Sequence, residues 1–92
     1  MKHEIRKIIT DIACILSSND ELSWAKEFEN LGSALDMDYE SSLRSLKALY
    51  GGMGSFNDLV LHKEGIPLLY ENRKLNNLRR KLYNQLELAT AS

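Results

Sequence analysis

Few side chains in this 92-residue chain have the chemistry for catalysis or metal binding: His3, His62 and the single cysteine, Cys14. A zinc site needs convergent ligands at short, regular spacings, and these three are scattered. A nucleophile needs a base beside it, and neither Cys14 nor any serine has one nearby in sequence. Cys14 reads as a small buried or half-buried thiol, and His62 as a surface or helix-terminal residue. The many carboxylates contain no pair set apart for acid–base work. The run Gly51-Gly52-Met53-Gly54-Ser55 could present backbone amides to a phosphate, since helix N-termini attract anions. A phosphate-binding P-loop, however, follows a strand and ends in Gly-Lys-Ser/Thr, whereas here a helix precedes the turn and no lysine follows. These residues predict no catalytic centre, no metal and no cofactor.

Charge is the more informative chemistry. Residues 19–40 carry Asp20, Glu21, Glu27, Glu29, Asp36, Asp38 and Glu40 against Lys26 alone, while residues 63–81 carry six cations, Lys63, Arg73, Lys74, Arg79, Arg80 and Lys81, against Glu64 and Glu71. The chain is a dipole with a net charge of only −1. An acidic surface of this kind suits a basic partner, where complementary charge speeds association and fixes register. Trp24 and Tyr39 lie within the acidic segment and would serve as aromatic anchors. A basic closing helix, with Arg73, Lys74, Arg80 and Lys81 on phosphates, is the rival reading. The adjacent acids and the overall charge argue against nucleic acid.

Apolar periodicity supplies the elements that carry these groups. Ile5, Ile8, Ile9, Ile12, Ile15 and Leu16 recur at helical steps over residues 3–17. Ser18-Asn19-Asp20-Glu21 matches the capping box of a second helix, seamed by Trp24, Phe28, Leu31 and Leu35. Gly32 in that helix either weakens it or admits a close neighbour. Asp36 or Asp38 caps a third helix bearing Tyr39, Leu43, Leu46, Leu49 and Tyr50. Gly51 or Gly52 is then placed at the left-handed closing position, and Ser55 opens a short helix whose box is completed by Asp58. Met53, at the tip of the turn, is a packing plug or an exposed contact. Gly65 and Pro67 break the chain again, and Ile66, Leu68 and Leu69 predict a connection lying against the core. Leu75, Leu78, Leu82, Leu86 and Ala89 define a long last helix.

The expectation is one all-α domain over 1–92: a compact bundle of four longer helices plus one short helix after the Gly-rich turn. With 43% hydrophobic and 27% charged residues, the composition is that of a soluble globular domain. The unpaired cysteine fits a reducing compartment, and no apolar run approaches the roughly 20 residues that cross a bilayer, so the expected location is the cytoplasm without membrane contact.

The run Leu49 to Leu61, LYGGMGSFNDLVL, resembles a family of short bacterial helical proteins, some of which look like immunity proteins of contact-dependent growth inhibition and polymorphic toxin systems. That resemblance implies no catalytic residues. It implies stoichiometric binding to a cognate toxin C-terminal domain, a nuclease being one basic target. A helical adaptor subunit, or a homodimer built on a surplus apolar stripe, is a further alternative.

Overall fold

The computed structural model describes residues 1–51 and 54–91. Gly52 and Met53 therefore lie outside the described residues, and with them the alternatives drawn for the tip of the turn. Among the described residues the fold is helical: α1 (Lys2–Ser18), α2 (Leu22–Ala34), α3 (Tyr39–Ala48) and α4 (Leu69–Thr90). Among the described residues no helix is long and apolar enough to cross a membrane. The short helix expected from Ser55 is reduced to one 3₁₀ turn, Phe56–Asp58. The break around Gly65 and Pro67 is a two-residue antiparallel hairpin, β1 (His62–Lys63) with β2 (Ile66–Pro67). Its central residues Glu64 and Gly65 both have positive φ, 53° and 80°, as a tight primed turn requires.

The isoleucine stripe makes α1 the central helix, with Ile5, Ile9, Ile12 and Leu16 all but sealed from solvent. It packs on α2 along one flank and on α4 along the other. Gly32 is what lets α2 come close, since a Cβ there would sit 3.3 Å from Ile9 Cγ2. Phe28, Leu35, Leu43, Leu46, Leu75, Leu82 and Leu86 close the same core. The seam read along α2 is therefore the packed one, with Trp24 and Leu31 half-buried at its edge. Cys14 corrects its expectation: it is exposed.

The turn between α1 and α2 corrects another. Ser18 is the last residue of α1 and caps nothing. The Glu21 N–H donates to the Leu16 carbonyl at 2.9 Å and the Asp20 N–H to the Ser17 carbonyl at 3.4 Å. With Asp20 at φ 63°, this is a Schellman closure in which an aspartate occupies the left-handed position usually held by glycine. Glu21 stands at the start of α2 without a side-chain capping bond. At α3 the cap is Asp38, whose carboxylate accepts from the Ser41 N–H at 3.1 Å. Asp36 instead meets Lys2 at 3.4 Å and bonds Arg6. Gly51 does not take the left-handed conformation; the positive-φ glycines among the described residues are Gly54 and Gly65.

Candidate functional site

Residues 54–61 have almost no regular structure of their own, and α4 holds them in place. Arg79 lies 7% exposed, beside the apolar stripe of α4 and aimed back at this loop. Its guanidinium donates to the Phe56 carbonyl (2.5 Å) and the Leu59 carbonyl (2.9 Å), and also bonds the Asn76 side chain. It also sits 5.4 Å from the centre of the Phe56 ring. Burial pulls the Arg79 pKa down, but a guanidinium has so high a starting value that it remains charged. Seven residues earlier, the Asn72 amide matches the backbone of Leu61 as a strand would: Oδ1 accepts from the Leu61 N–H at 2.7 Å and Nδ2 donates to its carbonyl at 2.8 Å. In the sequence Arg79 is one of the six cations of residues 63–81. The missed signal was position: Arg79 lies between Leu75, Leu78 and Leu82, on the buried side of the helix.

Phe56 is the apolar counterpart of Arg79. Fully buried, it packs against Phe28 (ring centres 4.6 Å apart), Trp24 (5.6 Å) and, edge-on, Tyr50 (5.8 Å). Ser55 opens the 3₁₀ turn without a side-chain cap, and its buried hydroxyl lacks a hydrogen-bond partner among the described residues. The capping box is half-made in another way: Asp58 accepts from the Gly54 N–H at 3.0 Å.

The Tyr50 hydroxyl donates to the Arg79 carbonyl at 2.8 Å, and burial pushes the phenol pKa above its ordinary value of 10.0. A group whose pKa is higher folded than unfolded contributes fully below the unfolded value and loses that contribution as pH rises past it. Stability should therefore fall above about pH 10, and Tyr50→Phe should flatten that fall. Urea midpoints measured at about pH 9 and pH 11 for both proteins check this.

The predicted acidic face is not one face. Glu27 and Glu29 are both exposed, yet at about 100° per residue they project from opposite flanks of α2. Glu29 lines the α1–α2 groove with Arg6 and Asp36. Asp38 is committed to capping. Trp24 and Tyr39 are half-buried against the core, Tyr39 also lying under the Lys2 ammonium at 5.8 Å. Glu40 stays exposed on α3, apart from the α2 groups. His62 is exposed beside the Val60 carbonyl, 3.1 Å from its Nδ1.

What the fold does gather lies at one end. Because α1 and α4 run antiparallel, Ser18 and Asn19 share a groove with Tyr70 and Glu71, while Glu21 shares another with Val60 and His62. Leu68 joins the hairpin to that end through its N–H, which donates to the Leu61 carbonyl at 3.0 Å. Leu22 (62% exposed), Val60 (49%), Ile66 (68%), Leu69 (79%) and Tyr70 (70%) are thus brought to the same end of the molecule. Ile66 and Leu69 were expected against the core; the tight hairpin turns them outward, and only Leu68 packs inward. Glu71 shares its groove with Tyr70 and Glu21 shares the other with Val60, while Asp20 and Glu64 are near neighbours of Leu22 and Ile66 in sequence.

Residues 17–68, more than half of the chain, match a family model described as Domain of unknown function (DUF6966). The match runs from the end of α1 to the residue before α4, so it contains the anchored loop and hairpin but neither Asn72 nor Arg79. No curated protein and no solved structure gives a significant match.

Proposed function

We propose that this chain, which belongs to the DUF6966 family, is a stoichiometric protein-binding module, an immunity protein that neutralises a cognate bacterial toxin domain. The observation that carries this reading is the exposed apolar end formed by Leu22, Val60, Ile66, Leu69 and Tyr70. Scattered exposed apolar side chains are ordinary, but five drawn to one end of so small a domain match a partner's surface. Tyr70 supplies the large, partly polar anchor that interfaces favour. The carboxylates of Glu21 and Glu71 in the grooves at this end, with Asp20 and Glu64 near in sequence, suit a basic target such as a nuclease domain. In this reading the interface lies on the hairpin end rather than along α2.

The test is calorimetric titration with the C-terminal domain encoded by the neighbouring toxin gene, together with rescue of growth. Tyr70→Ala should weaken binding by about tenfold or more, the cost of losing an interface anchor, without moving the unfolding midpoint. Glu27→Lys should leave affinity nearly unchanged. Absence of binding at low salt would remove the immunity role.

A second reading has its own observation. Arg73, Lys74, Arg80 and Lys81 are all exposed and fall within about 120° of one another on α4, on the side away from its leucine stripe. Nucleic-acid binding by this face would weaken steeply with salt.

A further inference from the structure

Beside the anchored loop lies an open cup of about 470 Å³ between α4 and the segment after α3. Every described residue that lines it carries a hydrogen-bonding group: the amides of Asn57, Asn76 and Asn84, the guanidinium groups of Arg79 and Arg80, and the hydroxyls of Tyr50 and Tyr83. No carboxylate and no aliphatic side chain is among them. Arg79 forms the floor, a buried cation whose bonding partners are carbonyls and an amide instead of a counter-ion. Arg80 stands at the rim, exposed and without an ion pair among the described residues. Two carboxylates stand near the cup outside its lining: Asp58, which accepts from the Gly54 N–H at 3.0 Å and acts on the Arg79 charge, and Glu87, which pairs with Lys47 at 3.5 Å and lies by the Tyr83 hydroxyl. Tyr83 is 40% exposed and meets Tyr50 edge-on, with ring centres 5.1 Å apart. One ring is thereby braced by the other, while part of the Tyr83 side chain stays open to solvent.

We propose that this cup binds a small phosphomonoester carrying a planar ring, of the size and chemistry of a nucleoside monophosphate. Arg80, which makes no ion pair among the described residues, supplies the charge for an oxyanion, and a guanidinium with neighbouring amide donors matches the tetrahedral set of phosphate oxygens. The exposed part of the Tyr83 side chain supplies the stacking surface that a base requires. The amides of Asn57 and Asn84, each with donors and an acceptor, and the Asn76 NH2 read the polar edges of base and sugar. The volume falls within the usual range for small-ligand sites. The inference is independent of the protein-binding reading, since the cup lies along α4 away from the hairpin end.

The experiment is an NMR titration of the intact chain with AMP, adenosine and inorganic phosphate in parallel, following side-chain amide, Arg Nε–H and tyrosine ring signals. AMP should give saturable shifts at Arg80, Tyr83 and Asn84, at least about tenfold tighter than either fragment alone, because the two half-sites are then occupied by one molecule. Arg80→Gln should lose about tenfold in AMP affinity with the unfolding midpoint unchanged, since its exposed side chain holds nothing in the fold. Equal affinity for AMP and inorganic phosphate would overturn the proposal in favour of simple anion attraction. So would shifts centred on Arg73 and Lys74, or the absence of saturable shifts.

Discussion

Phe56→Ala should lower the unfolding free energy by about 4 kcal/mol, the usual cost of removing a buried phenyl group and leaving a cavity. In a domain whose total stability is about 5–14 kcal/mol, that is enough to leave a sizeable fraction unfolded. The large figure follows from what the ring touches. Phe28, Trp24 and Tyr50 approach it from α2 and from the end of α3, with the Arg79 guanidinium against it from α4. No neighbouring backbone segment can collapse into the gap without giving up one of these contacts. Urea unfolding should show a lower midpoint at unchanged slope. Phe56→Leu, which refills much of the volume, should recover more than half of the loss. A shift below about 1 kcal/mol for the alanine variant would mean that the loop is not anchored by this ring.

Arg79→Met should cost about 3 kcal/mol, through a different mechanism. Methionine fills nearly the same space, so little packing is lost. The carbonyls of Phe56 and Leu59, however, lose the donor that satisfies them, and a buried acceptor without a partner keeps its full desolvation cost. Arg79→Lys should recover only part of this, because one ammonium on a flexible stem does not reproduce the planar fork that spans two carbonyls and an amide. Native-state hydrogen exchange gives the more discriminating readout. Residues 54–61 should lose protection in the methionine variant while the amides of α1 keep theirs, since the loop opens without the core. Phe56 and Arg79 touch, so the double variant should cost less than the sum of the two singles.

The same pair shows where local reading stops. Helical spacing alone identified the stripes of α1, α2, α3 and α4, because burying an apolar face demands a period near 3.6 wherever the helix packs. The all-α character and the seam through Phe28 and Leu35 were legible for that reason, whereas the choice at Gly32 between a weakened helix and a close neighbour fell to the packing against Ile9. A cap at Asp36 or Asp38 was legible because such a bond is local, and Asp38 makes it with the Ser41 amide three residues on.

Tertiary structure decided everything that depends on partners distant in sequence. Arg79 looks like any other cation of α4 until the carbonyls 20 and 23 residues earlier are brought to it. Asp36 reads as a cap candidate for α3 until α1 brings Lys2 and Arg6 beside it. The apparent acidic surface of residues 19–40 divided because charges close in sequence project from different flanks of a helix. The exposed end at Leu69 and Tyr70 arose because the turn at Glu64 and Gly65 reversed the chain. The amino-acid sequence by itself determined which faces must be buried, since that preference belongs to each side chain and its helical period. Which polar groups meet, and which apolar ones are left for a partner, was decided only by the packing of α1 between α2 and α4.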